Sequence, residues 1–135
     1  MIIDATDLKV GRLATVVAKA ALKGETVTIV NAEKAVLTGN KNSIIAKYQE
    51  QYQRGGPHWG PFLPRMPDRF LRRIIKGMLP MNTARGREAY KRVMCYIGNP
   101  EEQKAESIDG AHIKHSQTLR YMTVQELCRV LGGRV

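Results

Sequence analysis

The sequence predicts an α/β fold around a small, mostly parallel sheet of four strands. The apolar residues 1–4 indicate a first strand, and the β-branched residues 26–30 indicate a second strand that is buried on both faces. Between them, apolar residues recur at spacings of three and four, as they do on one face of a helix. A strand, a helix and a strand within about thirty residues form a βαβ unit, whose strands lie parallel with a right-handed crossover.

The elements of the first half follow in order. The first helix stops before Gly24, a residue suited to the turn that ends a helix. Residues 35–38 predict a third strand, and residues 42–53 predict a second helix. The apolar face of the first helix is formed by Val10, Leu13, Ala14, Val17, Ala18 and Ala21. The apolar side of the second helix carries Ile44, Ile45 and Tyr48.

The C-terminal part predicts one more strand and one more helix. Residues 93–97 are an apolar run closed by Gly98-Asn99-Pro100, which predicts the fourth strand. Residues 101–118 are polar and predict an irregular surface segment. Thr123 and Glu126 form a capping box at the start of the last helix, which ends at Gly132-Gly133. The apolar residues of that helix are Leu127, Val130 and Leu131.

The segment RMPDRFLRRIIKGMLP at residues 65–80 predicts a helix with two opposite faces. Pro67 suits its first turn and Gly77 its end. Four like charges on one face repel each other, so this helix favours a polyanionic partner. The cations that point the same way are Arg69, Arg72, Arg73 and Lys76. The apolar side is formed by Phe70, Leu71, Ile74, Ile75 and Met78.

Two further basic segments flank this helix. Residues 54–67 contain four prolines and three glycines, and therefore predict an extended loop. His58 or Trp59 in that loop is suited to stack on an unpaired base, and Trp59 is equally suited to anchor the loop to the core. The loop also carries Arg54 and Arg65. A second basic helix at residues 84–92 carries Arg85, Arg87, Lys91 and Arg92.

The positive charge of the chain is concentrated in this region. Residues 41–92 hold 12 Lys and Arg against Glu50, Asp68 and Glu88, a balance of +9 out of a total of +10. A charge so localised fits a nucleic acid or another phosphate-rich partner. A membrane surface is the second option, but the region lacks the apolar insertion face of an interfacial helix. A merely solvated face is the third, although such faces normally mix both signs.

Length and composition predict a single globular domain over residues 1–135, with 43% apolar residues. Cys95 and Cys128 lie in apolar contexts, which predicts free buried thiols rather than a disulfide. The start MIIDA lacks the features of a signal peptide, and no segment has the apolar length of a membrane span. The expected location is the cytosol.

Catalytic and metal motifs are absent from the sequence. Neither a Walker loop nor a GxGxxG motif occurs. Gly11-Arg12 suits either an anion site at a helix start or a turn that needs glycine. His112 and His115 have the spacing of a ligand pair, but no residue in the right frame completes a metal site. We therefore predict no catalytic residue and no metal ligand.

An ordered series of motifs resembles a known family, the universal large-subunit ribosomal proteins numbered thirteen, in their shorter archaeal form. Lys76 stands where relatives often have Arg, which keeps the charge but loses the planar fork. The tail after Glu101 matches only loosely. The motifs are GRLA at 11–14, VNAEK at 30–34, TGN at 38–40, GPFLPRMPDR at 60–69, KGMLP at 76–80, RGREA at 85–89 and YIGNP at 96–100.

The resemblance implies a three-layer α/β/α fold and a structural protein of the large ribosomal subunit, without catalysis or cofactor. Its expected partners are ribosomal RNA and neighbouring large-subunit proteins, in the cytoplasmic ribosome, with no membrane and no small-molecule substrate. Together with the residue patterns, it gives the candidate RNA-binding residues Arg54, His58, Trp59, Arg65, Arg69, Arg72, Arg73, Lys76, Arg85, Arg87, Lys91 and Arg92.

Two other functions are consistent with the predicted elements. The first is an α/β enzyme that acts on a phosphorylated small molecule, with a pocket at the carboxyl ends of the strands near Asp4-Ala5 and Asn31-Ala32. The second is a regulatory module that binds messenger RNA or protein outside the ribosome. Turnover or saturable nucleotide binding would favour the enzyme.

Overall fold

The computed structural model describes residues 1–100, 105–108, 110–115 and 120–134. In these ranges each predicted helix and strand is found within a few residues of its expected position. The strands are β1 (Ile2–Asp4), β2 (Val27–Val30), β3 (Val36–Thr38), β4 (Val93–Cys95) and β5 (Tyr121–Thr123). The helices are α1 (Val10–Lys23), α2 (Lys41–Gln53), α3 (Pro67–Gly77), α4 (Ala84–Lys91) and α5 (Val124–Val130).

The βαβ unit forms as predicted. β1 and β2 pair in parallel with Ile3 opposite Ile29, and β4 pairs in parallel with the other edge of β2. β2 therefore lies in the centre of the sheet, where Val27 and Ile29 are buried. All six residues of the predicted α1 face are buried as well. Gly24 ends α1 with φ 104°, and its N–H donates back to the last turn.

The parallel sheet has three strands rather than the four predicted. β3 pairs antiparallel with β5, with Leu37 opposite Met122, and forms a separate two-stranded sheet. Asn31 takes the left-handed conformation after β2, and a 3₁₀ turn at Ala32–Lys34 follows, so the chain changes direction before β3 begins. The α/β class is as predicted, and the packing of helices around the sheet agrees with a three-layer α/β/α architecture.

α3 is fixed to the core by its apolar side. Phe70, Leu71 and Ile75 are buried, and the Phe70 ring meets the Tyr48 ring of α2 edge-on at 5.1 Å between centroids. The prediction was wrong for Met78, whose side chain is 43% exposed, because α3 ends at Gly77 and Met78 follows its last turn.

Val130, one of the apolar residues of α5, is exposed. The buried residues of α5 are Val124, Leu127 and Cys128, and Leu131 continues that face just beyond the helix. At about 100° per residue, Val130 falls outside the arc that these four residues cover. The predicted capping box forms only in part, with the Thr123 hydroxyl accepting a hydrogen bond from the Glu126 N–H at 3.2 Å.

The segment predicted to be irregular surface is partly docked onto the start of the chain. The N–H of Asp4 donates to the Glu106 carbonyl at 3.1 Å, and the N–H of Lys9 donates to the Ala111 carbonyl at 2.9 Å. Ala111 is buried by this contact. Within 101–118, residues 101–104, 109 and 116–118 lie outside the described residues.

Both cysteines are free and buried, as predicted. Burial raises the pKa of Cys95 and of Cys128 to about 12 each. Arg72 opposes this rise at Cys95 and Asp68 adds to it, so Cys95 lies within electrostatic reach of α3. None of the helices in the described ranges combines the length and the apolar character needed to cross a bilayer.

Candidate nucleic-acid interface

A groove of about 970 Å³ lies along α3 and contains its cations. Its lining includes Phe62 and Pro64 from the loop before α3, residues 79–82 from the segment after α3, and Tyr90 from α4. None of the described residues that line it is acidic, so the charged side chains of this lining are all positive. The cationic residues in its lining are the four predicted from the sequence, Arg69, Arg72, Arg73 and Lys76.

In the part of the chain that the structure describes, these four cations form no ion pair with a carboxylate. Among the described residues, none of them has an acidic oxygen within the 4.0 Å that defines an ion pair. The pairs that do form join other residues, Lys41 with Glu126, Arg54 with Glu50, and Arg92 with Glu88. The groove therefore keeps a positive potential that an external anion can satisfy.

The four cations differ in how they are held. Arg69 and Lys76 are exposed, and the Arg73 Nη1 donates to the Phe62 carbonyl at 2.6 Å. The Arg72 guanidinium is half-buried and lies 4.5 Å from the centroid of the Tyr90 ring, a cation–π contact that joins α3 to α4. Arg72 thus shapes the groove, whereas Arg69, Lys76 and the other N–H groups of Arg73 are free for phosphate oxygens.

The loop at residues 54–66 forms a tight turn next to this groove. The Gly60 N–H donates to the Gly56 carbonyl at 3.1 Å, and Gly55 and Gly60 both take positive φ. The turn encloses a second concavity of about 570 Å³. The Trp59 side chain is 92% exposed and His58 is exposed too. Trp59 therefore does not anchor the loop to the core, and its ring is available to a partner.

The two arginines at the ends of this loop are partly engaged. Arg54 pairs with Glu50 one turn earlier on α2. The Arg65 guanidinium lies 4.6 Å from the centroid of the Tyr52 ring. The chain after α5 packs closely on the Arg65 backbone, since a Cβ at Gly133 would lie 2.4 Å from the Arg65 carbonyl oxygen. Both side chains stay exposed and keep N–H groups toward solvent.

The basic residues of α4 are used differently. Arg85 Nη2 donates to the Leu22 carbonyl in the last turn of α1 at 3.1 Å, and Arg92 pairs with Glu88 at 3.6 Å. Arg87 and Lys91 are exposed. The RNA-binding role of these four residues stays a prediction. Two of them, Arg85 and Arg92, have a partner within the chain.

Other parts of the chain offer less to a ligand. Arg12 Nη1 donates to the Gly110 carbonyl, and His112 Nδ1 accepts from the Lys114 N–H. At the strand ends, burial acts to raise the pKa of Asp4, but hydrogen bonds from Thr6 and Asn31 and the charge of Lys34 lower it overall. The Asp4 carboxylate is therefore committed to local structure. No metal-binding cluster of His, Cys, Asp and Glu occurs among the residues that the structure describes.

Comparison with known proteins identifies the family. The profile of the family described as ribosomal protein L13 matches residues 1–102. The chain belongs to the ribosomal protein L13 family. Curated relatives named large ribosomal subunit protein uL13 include that of Methanopyrus kandleri, 45% identical over 97% of this chain and 86% of the relative. That of Archaeoglobus fulgidus is 44% identical over 98% and 88%, and that of Methanocaldococcus jannaschii is 45% identical over 98% of both chains.

The relatives clarify the extent of the resemblance. The L13 profile covers α3, α4, the groove and the adjacent turn. The alignments to the curated relatives extend over almost the whole chain, including the tail after Glu101 that matched the motifs only loosely. The resemblance inferred from the ordered motifs is confirmed.

The L13 motifs at residues 76–80 and 85–89 meet at one side of the groove. Leu79 and Pro80 line it, and the first turn of α4 packs on the Pro80 carbonyl. A Cβ at Gly86 would lie 2.0 Å from that oxygen, so only glycine fits there. Thr83 caps α4 through its hydroxyl, which accepts from the Gly86 N–H at 3.1 Å.

Three aromatic residues of the interface were not among the predicted site residues. Phe62 lines both concavities, Tyr52 lies under Arg65, and Tyr90 lies under Arg72. Tyr52 and Tyr90 belong to helices whose pattern gave no sign that they face the loop or α3. The only usable signal was the abundance of Arg near aromatic residues, which often form cation–π pairs.

Proposed function

We propose that this L13-family chain is a structural constituent of the large ribosomal subunit that binds ribosomal RNA and supports assembly. It acts as one domain over residues 1–135, in the cytoplasmic ribosome, beside other large-subunit proteins. The role is not enzymatic and involves no cofactor, small-molecule substrate or membrane. The observation that supports it best is the α3 groove, whose four cations have no carboxylate partner among the described residues.

The proposed mechanism is electrostatic. When RNA phosphates enter the α3 groove, its cations replace the counterions condensed on the RNA, and the release of those counterions drives binding. The planar guanidinium groups of Arg69 and Arg73 suit bidentate contacts to phosphate oxygens, and Lys76 supplies a point charge. Because the apolar side of α3 is fixed in the core, the cations are presented on a rigid support. A rigid cationic surface can hold together RNA segments whose phosphates would otherwise repel each other.

The other candidate residues extend this surface. Arg54, His58, Trp59 and Arg65 lie on the loop before α3, and Arg85, Arg87, Lys91 and Arg92 lie on α4 or at its end. In sequence, all eight lie just before or just after α3, the helix that supplies the cations of the groove. We assign the largest share of affinity to Arg69, Arg73 and Lys76, because they are exposed, line the same groove and have no acidic partner among the described residues.

The double substitution Arg69→Glu with Arg73→Glu tests this proposal. Binding of large-subunit ribosomal RNA, measured by filter retention at low salt, should be lost, while circular dichroism and thermal unfolding stay close to those of the unsubstituted protein. The matched control is Lys19→Glu with Lys23→Glu, an exposed pair on α1 with the same spacing and the same charge change. Retained RNA binding by a folded Arg69/Arg73 variant, or equal loss in both variants, would refute the assignment.

A further inference from the structure

The turn at residues 55–63 presents aromatic surface that the fold itself does not use. Trp59 is 92% exposed and Phe62 is 71% exposed, only three positions apart. Single exposed aromatics are common, but two in one tight turn form a patch of the kind that marks a binding site. Glycine backbone lies next to both rings: a Cβ at Gly56 would lie 3.9 Å from the Trp59 ring, and one at Gly60 would lie 3.1 Å from the Phe62 ring.

Phe62 separates two concavities of different chemistry. On one side lies the α3 groove, lined by cations. On the other side lies the concavity of about 570 Å³, lined by glycine and proline backbone, Tyr52 and two arginines. The Arg73 Nη1 donates to the Phe62 carbonyl at 2.6 Å, so the ridge between the two sites is tied to the cationic helix.

We propose that the concavity beyond Phe62 binds an unpaired nucleobase of an RNA whose phosphates occupy the α3 groove. This inference rests on the RNA-binding function proposed above and adds a second, base-binding compartment. An extruded base has flat apolar faces and polar edges, and it stacks on aromatic rings or on guanidinium planes. The concavity offers both, in the exposed Phe62 ring and in the Arg65 guanidinium that lies on Tyr52.

Charge favours RNA over a protein partner for this patch. Arg54 and Arg65 line the concavity, and Arg69 and Arg73 line the groove beside it. Among the described residues, no acidic side chain lines either concavity. Of the two acidic residues near them in sequence, Glu50 pairs with Arg54, and Asp68 has a buried Oδ1 and lies outside both linings. An apolar patch bordered by cations alone suits a ligand that combines flat rings with phosphates.

The test compares three RNA probes. These are a mixed-sequence single strand of about ten nucleotides, the same strand with abasic sites at its central positions, and the blunt duplex of that sequence. Trp59 is the only tryptophan of the chain and lies on the turn that lines the concavity, so its fluorescence reports on bases that reach this turn. The unsubstituted protein should bind the intact strand about tenfold more tightly than the abasic strand, with quenching of Trp59 by the intact strand only.

The substitution Phe62→Ala should bring the ratio between intact and abasic strands close to one, while affinity for the duplex stays unchanged. Tyr121→Ala, which removes another exposed aromatic outside both concavities, should keep the tenfold ratio. Equal affinity of the unsubstituted protein for intact and abasic strands would overturn the inference and assign the rings to a protein partner. An unchanged ratio between intact and abasic strands in Phe62→Ala would overturn the inference as well. In either case, loss of all RNA binding in the Arg69/Arg73 variant would leave the proposed function standing.

Discussion

The two basic helices, α3 and α4, look alike in sequence but differ in what their cations contact. α3 places Arg69, Arg73 and Lys76 in a groove without a carboxylate partner among the described residues. α4 directs Arg85 to the carboxyl end of α1, and Arg92, just beyond α4, pairs with Glu88. A cation at the end of a helix completes the hydrogen bonding of that helix and interacts favourably with its dipole. Part of the charge at α4 therefore has a structural use.

The difference shows that charge density alone does not locate an RNA interface. The whole 41–92 region is strongly basic, yet only part of its charge is available to a partner. Whether a given cation is available to RNA depends on the partners that it has within the chain. If this is correct, substitutions on α3 should act mainly on RNA affinity, and substitutions of the engaged residues at α4 should act mainly on stability.

The largest expected effect is the dependence of RNA affinity on salt. With roughly 6 to 10 phosphate contacts, affinity for ribosomal RNA should fall by about 10³ to 10⁵ between 50 and 200 mM salt. Replacing Arg69 and Lys76 with Ala should reduce the slope of log affinity against log salt by about two, since each phosphate contact contributes about one. Anisotropy titrations of labelled RNA at several salt concentrations measure both quantities.

The matched control for this slope is the pair Arg85→Ala with Arg92→Ala. Because both side chains have partners within the chain, we expect their removal to change the slope by less than about one. A slope that falls equally in the two double variants would mean that α3 and α4 contribute alike. The contrast between the helices would then be wrong, although RNA binding itself would remain.

The next largest effect concerns the support beneath α3. Phe70 is 1% exposed and packs edge-on against Tyr48, so Phe70→Ala should lower the free energy of unfolding by about 3–5 kcal/mol. Burial raises the pKa of Cys95 to about 12, so this thiol should resist alkylation at neutral pH in the native protein. In Phe70→Ala the alkylation rate of Cys95 should rise, because α3 packs on β4, the strand that contains Cys95, and loosening of α3 would expose the thiol.

Cys128 serves as the internal reference for that experiment. It is also buried, on α5, and its pKa is likewise raised to about 12. Mass spectrometry after partial alkylation distinguishes the two thiols. α3 packs on α5 as well as on β4, and Asp68 acts on the pKa of both thiols. Faster labelling of Cys95 than of Cys128 would indicate opening between α3 and β4, whereas equal acceleration would indicate that the whole core around α3 opens at once and would contradict a local opening at β4.

Local patterns were sufficient to predict most of the fold. The α1 face, the Gly24 stop, the parallel pairing of β1 with β2 and the start of α3 at Pro67 all follow from residues close in sequence. The partner of β3 does not, because β5 lies far along the chain in a segment without a strand pattern. Met78 was wrongly expected on the core-facing side, because periodicity identifies a face but not where that face ends.

The candidate site was predictable in its charges but not in its shape. The spacing of Arg69, Arg72, Arg73 and Lys76 was enough to place them together on α3. Sequence could not show that Arg72 stacks on Tyr90 or that Phe62 divides two concavities, since both depend on loop and helix packing between distant residues. The positions that sequence missed are therefore those where tertiary contacts, rather than local spacing, set the environment of a side chain.

The smallest expected effects test how α4 is seated beside the groove. A Cβ at Gly86 would lie 2.0 Å from the Pro80 carbonyl oxygen, so Gly86→Ala must displace α4 from Pro80 and should cost about 2 kcal/mol of unfolding free energy. Gly77, at the end of α3, has nothing within 4 Å of a Cβ and does not take positive φ.

Gly77→Ala should therefore leave stability unchanged or raise it by about 0.5 kcal/mol, because Ala loses less backbone entropy than Gly in a helix. Chemical denaturation of both variants measures the difference. Pro80 and Gly77 both line the groove. The displaced α4 of Gly86→Ala should weaken RNA binding by moving Pro80, whereas Gly77→Ala adds one methyl group that meets no atom within 4 Å and should bind RNA much as the unsubstituted protein does. If Gly86→Ala lost stability without losing RNA affinity, the position of α4 would not matter to the groove, and α3 with its preceding loop would suffice as the binding surface.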